Sequence, residues 1–205
     1  MKTQSAVTTL FLDIGDVLLS NGWGHESRHR AAKKFKLDIP EMEARHRLVF
    51  VNYEEGKLTL HEYLRRVVFY VKRAFTETQF RDFMFAQTTA HQGMIDLMIA
   101  LKARHQLKIV VLSNEARELN EFRIHKFKLN AFVDFYISSC FVHIRKPDSA
   151  IFRMALDMAQ VKAEQVVYID NTKLFTEVAA DAGMIGIHHK NIAATKKALS
   201  LMGLK

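Results

Sequence analysis

Cysteine occurs once and proline twice in the 205 residues, and apolar residues never run on for long. Cys140, the single thiol, has no partner within the chain, so an internal disulfide is excluded and a reducing compartment is expected. It follows an expected strand with no base beside it in sequence, which reads as a buried structural thiol rather than a nucleophile. A membrane helix needs roughly 18 uninterrupted apolar residues, and none is present, so no membrane partner is expected. Met1 to Thr9 carries one Lys and no apolar core, unlike a secretory signal, and a cytoplasmic protein is predicted. The shortage of apolar residues that marks disordered chains is missing too: 49% are hydrophobic and 25% charged, the balance of a globular fold. The net charge is +8, but the basic residues form no long stripe, which argues against a nucleic-acid partner. Nothing in the pattern specifies an oligomer.

What is present is an alternation. Short apolar runs at Thr8–Leu12, Ile109–Leu112, Phe135–Ile137, Val166–Ile169 and Ile185–Ile187 have the length of buried strands. Between them, Met94, Leu97, Met98 and Leu101, and again Ile151, Phe152, Ala155, Leu156 and Ala159, repeat with helical period. Strand and helix in alternation predict an α/β fold with a parallel sheet covered on both faces. One interval of about 75 residues breaks the rhythm and reads as helices only. Thr59–Glu62 and Thr76–Gln79 are candidate capping boxes within it. Residues 20–92 hold 11 of the 21 aromatics, and 13 Lys and Arg against nine Asp and Glu. Phe69, Tyr70, Phe80 and Phe83 are expected to pack a small helical bundle. The chain therefore divides into a core of residues 1–19 and 93–205 and an inserted helical unit of residues 20–92.

Four polar positions close separate strands. Asp13 ends the first, Ser113 and Asn114 the second, Lys146 follows the third, and Asp170 with Asn171 ends the fourth. Alone, each is an ordinary turn, cap or loop residue. Together they would meet over the carboxyl edge of a parallel sheet, where such folds bind ligands. Their chemistry is complementary. An Asp carboxylate can attack phosphorus and form an acyl phosphate. A phosphate dianion repels that carboxylate, so a divalent cation, a Lys ammonium and hydroxyl or backbone donors must balance the approach. Asp13, Asp170 and Asn171 offer the hard oxygen donors that Mg²⁺ prefers.

The segments Leu10–Leu18 with Asp13, Val110–Asn114, Arg145-Lys146-Pro147 and Val167–Asn171 resemble, in order, the four motifs of the haloacid dehalogenase-like (HAD) hydrolases. The resemblance spans nearly the whole chain. The helical insertion is similar to that family's first-type cap, and Glu55–Tyr63 looks like a cap segment of its epoxide-hydrolase-amino-terminal and sugar-phosphatase branches. It implies a three-layer Rossmann-like core with the cap after the first strand, and a Mg²⁺-dependent phosphatase acting on a small phosphorylated metabolite. It further implies that Asp13 is nucleophile and metal ligand. Ile14, Ser113 and Asn114 would hold the phosphoryl group, Lys146 would balance its charge, and Asp170, Asn171 and the carbonyl of Gly15 would complete the metal site.

Two positions depart from the family pattern. Phosphatase members usually carry a second Asp two residues after the nucleophile, as general acid and base; Gly15 stands there, with Asp16 next to it as a possible substitute. Asn171 replaces a common second Asp and lowers the charge of the metal site. A slow phosphatase follows, with an impaired protein that binds a phosphorylated ligand or a protein partner as the alternative, and a metal-independent haloacid dehalogenase as a third reading. Trp23 and His25, just after the first motif, are candidates for substrate selection. His25 and His29 share a helical face, but no third or fourth zinc ligand stands at a recognisable spacing, so these and His188-His189 read as solvated or packing histidines.

Overall fold

A computed structural model describes residues 6–205; Met1–Ser5, and with them part of the amino-terminal stretch read above for a secretory signal, lie outside the described residues. The chain runs β1 (Thr9–Leu12), α1 (His25–Phe35), α2 (Ile39–Glu54), α3 (Leu60–Val67), α4 (Glu77–Phe85), α5 (Gln92–His105), β2 (Lys108–Ser113), α6 (Arg117–Lys126), β3 (Phe135–Ser138), α7 (Ser139–Val142), α8 (Ser149–Ala159), β4 (Val166–Asp170), α9 (Lys173–Asp181), β5 (Ile185–His188) and α10 (Ile192–Leu201). The five strands form one parallel sheet in the order β3-β2-β1-β4-β5.

The strands are apolar on both faces because both are covered. Leu10, Leu12, Ile109, Val111, Val167 and Ile169 pack with Met94, Ile95, Met98 and Leu101 of α5 and Leu199 of α10. Phe11, Val110, Leu112, Val166 and Tyr168 pack with Ile151, Phe152, Ala155 and Ala159 of α8 and Ala179 of α9. The α/β layering expected from the alternation is therefore observed. Strand order reverses between β1 and β4, and their register pairs Leu12 with Ile169. The residues that follow, Asp13 and Asp170, stand side by side at that switch point, where open sheets leave a crevice.

The helices α1–α4 surround a separate apolar cluster built on Tyr53, Tyr63, Leu64, Phe80 and Met84. Thr59 and Thr76 each receive the backbone N–H three residues on, and Glu62 and Gln79 each accept from the cap residue's own N–H, so both capping boxes form. Phe69 and Phe83 join Phe35, Phe75 and Phe80 in an aromatic set with ring centroids 4.5–6.3 Å apart. Tyr70 does not: its ring stacks under the Arg45 guanidinium, 3.6 Å away, because its hydroxyl favours a wet edge over the bundle interior.

The chain leading into α1 and the chain leaving α4 run side by side beside the sheet. Ser20 N–H donates to the Thr89 carbonyl at 2.8 Å, and Thr89 N–H donates to Ser20 Oγ at 2.9 Å. The helical insert touches the core at Gly56, whose φ of +67° and close approach to the Cys140 carbonyl leave no room for a Cβ. Beside it, Ser139 Oγ donates to the Glu54 carbonyl at 2.6 Å. Cys140 itself is fully buried, and burial pushes its thiol up to about 12, as an inert structural cysteine requires.

Candidate active site

At the carboxyl edge of β1, β2 and β4 a cavity of about 310 Å³ opens between the sheet and the helical insert. Asp13, Gly15, Ser113, Asn114, Lys146 and Asn171 line it from the core side, and Trp23, Arg28, His46, Tyr53 and Glu54 from the insert side. The Lys146 ammonium is fully buried and donates to Asp13 Oδ1 at 2.9 Å, Asp170 Oδ2 at 2.6 Å and Tyr168 Oη at 2.9 Å. Tyr168 Oη in turn donates to Asp170 Oδ2 in a short bond, and Asp170 Oδ1 accepts from Thr172 N–H at 2.7 Å.

Two carboxylates thus share one ammonium in a buried site, one positive charge short of neutrality. Burial, opposed by Lys146 and reinforced by Asp170, raises the Asp13 carboxyl to about 6. Burial alone would lower the Lys146 pKa, but the two carboxylates outweigh it and hold the ammonium above its ordinary value. Oδ2 of Asp13 faces Gly15, where a side chain would begin 3.7 Å away. This hard-oxygen, charge-deficient set fits a small divalent cation: Asp13, Asp170, the Asn171 amide and the Gly15 carbonyl are donors of the right kind.

The other expected residues fall as follows. Ser113 Oγ accepts from Ile14 N–H at 3.4 Å and faces Glu115 at 3.3 Å. The Asn114 side chain is turned onto the Lys146 backbone. Asp16 does not line the cavity; at φ +52°, its Oδ1 accepts Asn21 N–H at 2.8 Å and its Oδ2 lies 3.5 Å from Asn171 Nδ2. Trp23 lines the cavity, its Nε1–H donating to Tyr63 Oη at 2.9 Å. His25 lies outside it, its ring 4.0 Å from that of His29.

Several lining residues carry no signal in the motifs. Glu115 and Arg123 form a buried ion pair at 2.6 Å, and Arg123 also donates to the Ser20 carbonyl, between β1 and α1. Glu54, at the end of α2, meets Arg145 Nη2 at 2.7 Å; its carboxyl is raised to about 7, burial outweighing the Arg145 charge. Burial and the Arg28 charge depress His46 to about 4, so the imidazole facing the cavity is neutral. Tyr53 Oη, Arg123 Nε and Arg145 Nε are buried without hydrogen-bond partners. Tyr168 was findable: it stands two residues before Asp170, and in a strand residues two apart share a face.

The model of the haloacid dehalogenase-like hydrolase family matches residues 2–183 of this sequence. The chain belongs to this family. Among curated proteins it is similar to flavin mononucleotide hydrolase 1 of Arabidopsis thaliana chloroplasts, 26% identical over 163 residues, which is 80% of this chain and 65% of that one. It is also similar to bifunctional epoxide hydrolase 2 of Mus musculus, 27% identical over 128 residues, 61% of this chain and 23% of that one. The chain thus spans less than two thirds of either relative. Among solved structures, a HAD family enzyme of Bacteroides thetaiotaomicron superposes with a TM-score of 0.78 at 21% identity, over 91% of this chain and 95% of that one. The complex of that enzyme with magnesium and inorganic phosphate gives a TM-score of 0.76 at 20% identity, over 90% and 95%. The HAD hydrolase described here has, among its described residues, no helix long and apolar enough to cross a membrane.

Proposed function

We propose that this HAD hydrolase is a Mg²⁺-dependent phosphatase of a small phosphorylated metabolite, working through an aspartyl-phosphate on Asp13. The observation that carries the reading is the shared buried ammonium: Lys146 reaches both Asp13 and Asp170 in a site still lacking one positive charge. Asp13, Asp170, Asn171 and the Gly15 carbonyl would hold the ion, which when bound offsets the charge of the phosphoryl group. An Asp13 oxygen attacks phosphorus as the bond to the leaving oxygen breaks, and water then cleaves the acyl phosphate to release inorganic phosphate. Ser113 Oγ and the backbone at Ile14 and Asn114 hold the phosphoryl oxygens, and Lys146 balances their charge.

Gly15 offers no proton to the leaving oxygen, and Asp16 is engaged with Asn21, so solvent supplies it and turnover is slow for poor leaving groups. Residues 20–92 act as the cap and residues 1–19 with 93–205 as the catalytic core. Trp23 with the unpartnered Tyr53 Oη and Arg145 Nε shapes a pocket for the part of the substrate beyond phosphate. The magnesium and phosphate bound by the Bacteroides relative and the phosphate ester named for the Arabidopsis one support the reading.

The test is hydrolysis of an activated aryl phosphate by the full chain. Activity that requires Mg²⁺, stops with EDTA and disappears in Asp13→Asn is expected. Chloride release from a haloacid without metal would replace the phosphatase with a dehalogenase, and absence of both activities with retained phosphate binding would leave a binding protein.

A further inference from the structure

The sequence offers His25 and His29 as an isolated pair; the fold supplies a third partner. Glu43, on α2, brings a carboxylate oxygen to within 4.8 Å of a ring nitrogen of each histidine, and the two nitrogens lie within that distance of one another. None of the three lines the catalytic cavity. We propose that His25, His29 and Glu43 form a transition-metal site, best suited to Zn²⁺, that ties α1 to α2 and is separate from the phosphate site.

The donor set decides the metal. Two imidazoles and one carboxylate suit Zn²⁺ and its neighbours, whereas Mg²⁺ takes oxygen ligands. Two ligands of a tetrahedral Zn²⁺ with bonds near 2.0–2.1 Å stand about 3.3 Å apart. The ligand atoms must draw together to reach that spacing, and His25, exposed on the first turn of α1, and His29, only partly buried, leave their rings room to turn. Glu43 is already oriented: Arg28 grips both of its oxygens, at 2.8 and 3.0 Å, and holds the carboxyl below its usual range despite partial burial. An ionised carboxylate has lone pairs left after two such bonds, and ligating carboxylates are commonly fixed this way from behind.

His25-Glu26-Ser27-Arg28-His29 has the H-E-x-x-H spacing that places two imidazoles on one helical face. The Glu of that pattern serves elsewhere as a base, but Glu26 is 90% exposed and its partner is Arg30, 3.6 Å away. Glu26 is therefore not placed as a base for this site. The consequence of the site is mechanical. Arg28, which holds Glu43, also donates to the Trp23 carbonyl at 2.8 Å, so clamping α1 to α2 fixes two walls of the catalytic cavity.

The experiment is equilibrium dialysis of the metal-stripped full chain against Zn²⁺ with excess Mg²⁺ present, with melting temperature and the visible spectrum of the Co²⁺ form as second readouts. One Zn²⁺ per chain should be retained by wild type and by Asp13→Asn, and lost in His25→Ala and in His29→Ala. Zn²⁺ should raise the melting temperature of wild type and not of His29→Ala, and the Co²⁺ spectrum of wild type should show a tetrahedral nitrogen-ligated ion. Retention of that Zn²⁺ in the His25→Ala/His29→Ala double variant, its loss in Asp13→Asn, or no bound Zn²⁺ at all would overturn the proposal. Glu43→Gln, which keeps the shape of the side chain, should weaken retention without abolishing it.

Discussion

Asn114 and Lys146 exchange two hydrogen bonds: the Asn114 amide donates to the Lys146 carbonyl at 3.0 Å and accepts from the Lys146 N–H at 2.9 Å. A side chain at the end of β2 thus grips the backbone of the loop that delivers the shared ammonium. The amide holds the Lys146 backbone in place.

Asn114→Ala should therefore act through Lys146. A displacement of about 1 Å in a charged catalytic group can cost on the order of 10²-fold, and kcat/KM for an aryl phosphate is expected to fall by about 10- to 100-fold. Two hydrogen bonds of about 1 kcal/mol each are lost from the fold, so the protein stays folded and urea unfolding should show a modest decrease. Kinetics unchanged within twofold would mean that Lys146 is held by its carboxylate partners alone.

The sheet was legible because its strands are buried on both faces: runs such as Val110–Leu112 and Val167–Ile169 have no polar interruption and end at chemically distinct residues. Both capping boxes were legible because the cap and its partner lie three residues apart. The insert side of the cavity was not. Arg28, His46, Tyr53 and Glu54 look like ordinary polar positions on amphipathic helices, and only packing of α1 and α2 over the sheet turns them inward. Arg123 was hidden for the same reason: a basic residue in a helix normally reads as solvated, yet this one is 2% exposed. Glu43 became a partner for His25 and His29 only through the meeting of two helices.

Gly15 makes a gain of function testable. Its φ is not in the left-handed region, and a Cβ there would meet only Asp13 Oδ2, at 3.7 Å, an ordinary contact. Gly15→Asp should be accommodated and should supply the proton that the leaving oxygen lacks. Positioned acids typically contribute about 10²- to 10⁴-fold, and the gain should be largest for alkyl phosphates, whose leaving groups most need the proton. Equal changes for alkyl and activated aryl phosphates would show that protonation is not what limits the wild type.

The Glu115–Arg123 pair predicts a stability loss. Its side chains are 6% and 2% exposed, and Arg123 also holds the Ser20 carbonyl between β1 and α1. Removing one member of a buried pair leaves the other charge uncompensated, at a cost of about 3–5 kcal/mol. Arg123→Ala should lower the unfolding free energy by that order. Arg123→Met combined with Glu115→Gln should be less damaging than the sum of the single changes. Additive losses in a double-mutant cycle would show that the two charges are stabilised by other groups.

His46 gives the pH dependence a sign. Its imidazole is depressed from 6.5 to about 4, mainly by burial and then by Arg28. Between those values the unfolded chain takes a proton that the folded chain refuses, so this residue makes the fold less stable as pH falls from about 6.5 to 4. Asp13 and Glu54 act in the opposite sense: held at about 6 and about 7, their folded carboxyls keep protons that the unfolded chain has released. The wild-type profile thus contains opposing contributions, and His46→Gln removes only the first. Whatever offset the variant shows at pH 7.5, from loss of the 2.8 Å contact with Tyr63 Oη, it should shift in the variant's favour at pH 5. At pH 5 only about 1.5 pH units of that displacement have been crossed, so the shift is bounded at about 2 kcal/mol and is reduced by solvent reaching the ring. Urea unfolding of both proteins at the two pH values measures it, and an identical offset at both would show that His46 titrates as it does in the unfolded chain.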